Sequence, residues 1–215
     1  MHRLRMSTLS ISSHPLIQHH LARLRDARTE PAEFRLLVRQ LAQLLFVEAA
    51  HDLRLRPETV RTPLADCEAQ RLGETIGLVP ILRAGLGMAE AILELVPEAQ
   101  VWHLGLYRDH KTLQPITYYN KLSGQATIDV CFVVDPMLAT GGSAAAALGI
   151  LKQWGLKRLK YLALIAAPEG IRAIQQAHPD VAIHLAALDS RLNEHCYIVP
   201  GLGDAGDRQF GTTAE

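Results

Sequence analysis

Long apolar runs are missing from this sequence, and nothing in it approaches the ~18–20 consecutive residues needed to cross a bilayer. Arg3 and Arg5 near the start are followed by no apolar stretch, and Ser10–His14 is polar and broken, so no secretory signal is expected. A cytoplasmic protein without membrane contact is the expectation. An excess of either charge is missing too, with 22 Lys+Arg against 22 Asp+Glu. Such a balance gives no electrostatic reason to bind nucleic acid or an anionic surface. It leaves room for local phosphate binding, which needs only a few placed arginines. Cysteine is scarce: Cys67, Cys131 and Cys196 lie far apart and form no Cys-x-x-Cys pair. That excludes a disulfide framework and a zinc site and fits a reducing compartment. All three are expected as buried or half-buried free thiols. Repeats, low-complexity tracts and interdomain linkers are also lacking. The 215 residues, 48% of them hydrophobic, suffice for one sizeable core, and a single domain spanning 1–215 is expected.

The apolar residues that are present fall into two patterns. Phe34, Leu37, Val38, Leu41, Leu44 and Leu45 recur at helical spacing with charged residues opposite, which predicts an amphipathic helix from about Pro31 to His51. Before it, residues 1–15 show no clear period and are read as an extended arm or a short strand. Residues around Pro57 to Cys67 read as irregular or β-rich. Near-continuous apolar runs then follow at Thr75–Leu82, Val130–Val134 and Tyr161–Ala166, with two weaker ones at Val101–Leu106 and Val181–Ala186. Helical segments at Leu86–Leu95, Gly142–Trp154 and Glu169–His178 alternate with them. Such alternation predicts an α/β fold, a parallel β-sheet flanked by helices on both faces. Ligands in that architecture bind at the carboxyl ends of the strands.

One strand end stands out. Val133 and Val134 lead into Asp135-Pro136-Met137-Leu138-Ala139-Thr140-Gly141-Gly142-Ser143, which opens a helix. Glycines let successive N–H groups converge on an anion, the helix N-terminus adds partial positive charge, and Thr140 and Ser143 add hydroxyls. The run suits a terminal phosphate. It lacks the lysine of a Walker loop and the three glycines of a dinucleotide fingerprint. Asp135, a carboxylate beside a phosphate cradle, suits ribose hydroxyls or a magnesium ion.

This segment resembles the phosphoribosyl diphosphate (PRPP) signature of type I phosphoribosyltransferases and matches their uracil-specific branch. Many relatives carry a second acid where this chain has Pro136, a substitution typical of that branch. The resemblance implies that residues 135–143 and Asp204 bind PRPP, with Mg²⁺ held mostly by the substrate's own diphosphate. Arg83, in Arg83-Ala84-Gly85-Leu86-Gly87 after the strand at Thr75–Leu82, resembles the family's diphosphate loop. The stretch at about 107–122 resembles the mobile β-arm that folds over the diphosphate, with Arg108 as its second arginine and, with Asp135, a catalytic residue. His110 and Lys111 stand where family members commonly carry acids, which makes this arm more basic.

The C-terminal stretch Tyr197–Thr212 has Gly201, Gly203, Gly206 and Gly211, too many for a regular element. It resembles the family's uracil-binding hood, expected over about 188–212. The resemblance implies that Ile198, Gly203 and Ala205 frame and hydrogen-bond the base. It sets Asp204 beside uracil, PRPP or the metal. It also implies a homodimer or larger homo-oligomer, and GTP binding as an allosteric property. The turn Ala166–Gly170 also resembles family sequence and is read as a support of the site. The expected reaction joins uracil to PRPP, giving UMP and diphosphate. Two alternatives stand beside it at this point: a phosphoribosyltransferase for another base, and a nucleotide-sensing regulatory protein that keeps the fold without turnover.

Overall fold

The computed structural model describes residues 9–108, 115–120 and 127–212, with the backbone alone described at 105–108 and 115–120. The chain begins with β1 (Leu9–Ile11), α1 (Pro15–Arg25) and α2 (Pro31–Ala49), then the pair β2 (Leu55–Arg61) and β3 (Asp66–Leu72). Next come β4 (Ile76–Pro80), α3 (Leu86–Leu95), β5 (Gln100–Val101), β6 (Leu104–Arg108), β7 (Pro115–Asn120) and β8 (Val130–Val134). After β9 (Met137–Leu138) come α4 (Gly142–Gln153), β10 (Leu159–Ala166), α5 (Pro168–Ala177) and β11 (Ala182–Leu188). The ribbon β12 (Arg191–Leu192) and β13 (Ile198–Val199) leads to α6 (Ala205–Phe210).

The runs read as buried strands form the middle of one parallel sheet. Its order is β1-β11-β10-β8-β4-β5, with β9 also pairing β10. Every residue of β4, β8 and β10 is buried. Alternate side chains feed two cores, as a strand covered on both faces requires. Phe132, Val134, Leu162 and Leu164 join α1, α2 and α3 on one face, whereas Cys131, Val133, Tyr161 and Ala163 join α4 and α5 on the other. From β4 the chain moves outward to β5, and from β8 it moves the opposite way to β10 and β11. The carboxyl ends of β4 and β8 therefore mark the topological switch point, where such sheets bind ligands.

Local chemistry sets the helix starts. Pro15, Pro31 and Pro168 each stand in a first turn, where a missing N–H costs nothing. The periodic helix at Pro31 ends at Ala49, close to its expected limit.

Four expectations change. Helix α1 has no counterpart in the sequence reading, because its buried stripe is only Ile17, Leu21 and Leu24 among polar neighbours. The strand expected over Val101–Leu106 splits into β5 and β6. Trp102 N–H donates to the Leu78 carbonyl (2.9 Å) and its ring packs edge-on against Trp154, after which β6 leaves the sheet to pair antiparallel with β7. The turn expected after Asp135 contains the strand β9. Cys131 is buried as expected, but Cys67 and Cys196 are exposed, because they lie on the largely solvated β2–β3 hairpin and on the loop before β13. Among the described residues, no helix is long and apolar enough to cross a membrane.

Candidate active site

Asp135 follows the last residue of β8, and its N–H donates to the Leu162 carbonyl of β10 (3.1 Å). The chain then runs along β10: Leu164 and Ile165 N–H groups both donate to the Pro136 carbonyl (3.1 Å), and Met137–Leu138 pair with Ile165–Ala166. Pro136 and Leu138 are buried, so they hold the loop to the sheet, while Met137, Ala139, Thr140, Gly142 and Ser143 keep accessible surface. A cavity of about 100 Å³ opens among Asp135, residues 137–144 and Tyr161. At its floor Gly141 adopts φ +81°, and a Cβ there would lie 2.7 Å from Ala173 Cβ and 2.8 Å from the Gly170 carbonyl of α5. The turn at Ala166–Gly170 thus packs directly beneath the phosphate-type loop. Helix α4 starts at Gly142, so its first N–H groups border the cavity.

Asp135 retains some accessible surface yet lies deep enough for burial to push its carboxyl up to about 7. The Met137 N–H (3.3 Å) and the Tyr161 hydroxyl (3.4 Å) act in the opposite direction by hydrogen-bonding the carboxylate. Tyr161 is fully buried in β10, and burial, then the charge of Asp135, raises its phenol well above the usual range.

Arg83 follows β4, one strand over. Ile81 N–H donates to the Val134 carbonyl (3.0 Å), so the two strand ends are joined by backbone. The Arg83 side chain is mostly exposed and reaches Asp207 Oδ1 of α6 at 3.5 Å. Its guanidinium also lies 5.9 Å from the Phe210 ring centroid. Gln209, buried, donates to the Ala84 carbonyl (3.2 Å). Residues 83–84 and 207–210 thus meet, although more than 120 positions separate them.

The C-terminal segment, expected to hold no regular element, contains β13 and the short helix α6, because Asp204 caps the helix and Gly211 ends it in a left-handed turn. Ile198 and Ala205 are buried, while Gly203 is exposed with φ +77°. Asp204 caps α6, with Oδ1 accepting the Asp207 N–H at 2.8 Å, which leaves its second oxygen for a ligand. Arg208 anchors the segment: it donates to the carbonyls of Leu24 and Leu202 (2.9 Å each) and Asp26 (2.6 Å), and its guanidinium lies 4.5 Å from the Phe34 ring centroid.

No three His, Cys, Asp or Glu side chains cluster as a metal site among the described residues. Asp135 stands next to a proline rather than a second acid, and Asp204 has one oxygen committed to its cap. A divalent cation that arrives coordinated by a substrate's diphosphate, with one carboxylate or water contact from the protein, fits this donor set. The side chain of Arg108 lies outside the described residues, as do residues 109–114, with His110 and Lys111, and 121–122 of the expected arm at 107–122; the β6–β7 pairing is the part described.

The uracil phosphoribosyltransferase family model matches residues 11–212. The chain belongs to that family. It is 63% identical to the uracil phosphoribosyltransferase of Roseiflexus sp. (strain RS-1) over 207 residues, covering 96% of this chain and all of the relative. It is 56% identical over 208 residues to the uracil phosphoribosyltransferase of Symbiobacterium thermophilum, with the same coverage. Among solved structures it resembles the AQ2163 protein of Aquifex aeolicus, with TM-score 0.89 and 37% identity over 97% of this chain and all of that one.

Within this member of the uracil phosphoribosyltransferase family, Tyr161 lines the cavity beside Asp135, a placement that sequence reasoning missed. Its hydroxyl sits in a strand whose residues after it, Leu162–Ala166, are all apolar, which was the available signal. Arg25, Asp189 and Arg208, which hold the hood, were missed as well. A part-buried Arg–Asp pair separated by 164 residues leaves no trace in a local pattern.

Proposed function

We infer that this chain transfers the phosphoribosyl group of PRPP to uracil, releasing UMP and diphosphate. The observation that carries the reading is the meeting of three segments at the switch point: the glycine loop after β8, Arg83 after β4, and the backbone-rich hood clasped to Arg83 through Asp207. The 5′-phosphate would sit against residues 139–143, where N–H groups of the α4 start and the Thr140 and Ser143 hydroxyls converge. Asp135 would accept the ribose hydroxyls and favour the positive charge that builds at C1 in a loose, oxocarbenium-like transition state. Arg83 and Arg108 would hold the diphosphate as it takes on charge in leaving. Mg²⁺, bound through that diphosphate and touched by Asp204, would neutralise part of the same charge.

Uracil presents two C=O acceptors and an N3–H donor, and the main chain around Ile198, Gly203 and Ala205 would read them. A cytosine amino group in place of O4 would leave a buried donor or acceptor unpaired, which costs about 1–3 kcal/mol. The proposal includes a cytoplasmic location, a homodimeric or larger assembly and a response to GTP. Sedimentation and GTP titration of the rate test the last two. The decisive assay is UMP formation from uracil and PRPP with Mg²⁺, with cytosine, hypoxanthine and orotate in parallel. Turnover with uracil alone is expected. Turnover with another base would reassign the hood, and nucleotide binding without any turnover would favour the regulatory reading.

A further inference from the structure

Asp189 follows β11 and starts the hood. Its N–H donates to the Ala166 carbonyl at the end of β10 (2.8 Å), so its backbone is tied to the sheet edge. Its side chain is 4% exposed. Both carboxylate oxygens face the last residue of α1: Arg25 Nη2 donates to Oδ1 (2.5 Å) and Nη1 donates to Oδ2 (2.8 Å), a bidentate fork. The same two groups grip one residue of the hood from both sides. Gly201 N–H donates to Asp189 Oδ2 (3.0 Å), and Arg25 Nη1 donates to the Gly201 carbonyl (2.7 Å).

Gly201 in turn lies close against Ile198. It adopts φ +64°, and a Cβ on it would lie 2.0 Å from the Ile198 carbonyl oxygen. Because Gly201 has no Cβ, the Ile198 carbonyl packs directly against its backbone, and that backbone is held on both sides by Arg25 and Asp189. We propose that the Arg25–Asp189 pair is a positioning clamp that fixes the Gly201 backbone and, through it, the main chain around Ile198 in the geometry that receives the pyrimidine base. The inference rests on the reading of 198–206 as the base-recognition segment.

The clamp acts on binding of the base. A glycine-rich loop left loose would have to be ordered each time uracil binds, and preorganisation removes that cost. The PRPP-facing loop after β8 takes no hydrogen bond from either residue; its backbone is held by β10. The expected signature is thus a loss of affinity for uracil with PRPP affinity kept.

Asp189→Asn is the direct test. Oδ2 accepts from Arg25 and Gly201 together while Oδ1 accepts from Arg25 alone, so an amide NH₂ in either orientation faces a donor. Steady-state kinetics on the full chain with Mg²⁺ should show KM for uracil raised about tenfold, the effect of losing one charge-assisted hydrogen bond. KM for PRPP should stay within about twofold, and kcat at saturating uracil within about threefold, as removal of uniform base binding requires. Arg25→Lys, which keeps the charge and loses the fork, should give an intermediate KM and carries the test if Asp189→Asn does not fold. Arg25→Met combined with Asp189→Asn should be no worse than the more damaging single change, since both remove one unit. Hydrogen exchange of the Gly201 amide should accelerate in Asp189→Asn while amides of β8 and β10 are unmoved. An unchanged uracil KM in a folded, active variant overturns the clamp alone, as does a rise of both KM values together with a fall in kcat. A wild-type chain that forms no UMP overturns the functional reading and the clamp's role in base affinity with it.

Discussion

Asp135 holds a carboxyl raised to about 7 beside the cavity at the start of α4, and that placement has two measurable consequences. Its unfolded value lies near 4, so between about pH 4 and 7 the unfolded chain loses this proton and the folded chain keeps it. Stability is therefore lost as pH rises through that window, by roughly 4 kcal/mol at most. Asp135→Asn should remove this penalty and raise the melting temperature at pH 8, while cutting turnover at least tenfold, about 1.4 kcal/mol or more. Calorimetry and UMP assays on the same preparation check both halves; an unchanged rate would take Asp135 out of the mechanism. If the ionised carboxylate is the active form, kcat/KM for PRPP rises with pH through about 7 in the free enzyme. Tyr161→Phe deletes a hydroxyl 3.4 Å from Asp135 Oδ2 that favours the charged form, so its acid limb should move to higher pH.

At the scale of elements, α4 and α5 decide the shape of the phosphate-type loop. Gly141 lies against Gly170 and Ala173 too closely for a side chain. Gly141→Ala would have to shift the loop off α5 and leave the left-handed region. KM for PRPP is expected to rise at least tenfold with uracil KM little changed, which initial-rate kinetics would reveal. On the opposite side of the sheet Lys160, 4% exposed, closes the end of α2. Its ammonium donates to the Ala49 carbonyl (2.5 Å) and to Asp52 Oδ1, and lies 5.5 Å from the Phe132 ring centroid. Lys160→Met leaves the Ala49 carbonyl and Asp52 without that partner and should cost about 3 kcal/mol of stability without altering substrate KM values, as read by denaturant unfolding. Burial alone would raise Asp52, but hydrogen bonds from Lys160 and Arg158 outweigh it and hold the carboxyl at about 2. That contribution is complete above about pH 4 and disappears as pH falls towards 2, so acid unfolding should set in there and begin earlier in Lys160→Met.

For the whole molecule, the decisive arrangement is how the C-terminal hood returns to the N-terminal helices. Arg208 donates to carbonyls at Leu24 and Asp26 on one side and Leu202 on the other, and stacks over Phe34 of α2. Arg35 donates to the Gln209 carbonyl (2.9 Å) from the same helix. Helices α1 and α2 therefore serve as the frame for the hood as well as a cover for the sheet. Arg208→Ala would leave those carbonyls partly unpaired and open space over Phe34, a loss of about 2–3 kcal/mol. Limited proteolysis is expected to cut the variant within 197–212 before it cuts the sheet; equal resistance to that of the unmodified chain would show that α6 is held by other contacts.

The sequence by itself determined whatever is contiguous. The apolar runs at Val130–Val134 and Tyr161–Ala166 read as buried strands, because they are short, nearly continuous and, apart from the Tyr161 hydroxyl, apolar. The run Asp135–Ser143 declared its chemistry because an acid, a hydroxyl and two glycines stand side by side at a strand end. Helix α2 was legible from its stripe; α1, with three buried apolar residues in eleven, was not. The tertiary structure alone decided which distant residues meet. Tyr161 faces Asp135 because β10 pairs with β8 in a register that sets it beside Val133, and a one-residue slip would turn it to the other core. Arg25 reaches Asp189 and Gly201 because β1 joins the edge of the sheet at β11, which places the end of α1 over the hood. Strand order and register arise from the packing of the whole chain. The residues proposed to bear the chemistry were therefore readable one segment at a time, whereas those that hold them in place appear only in the folded protein.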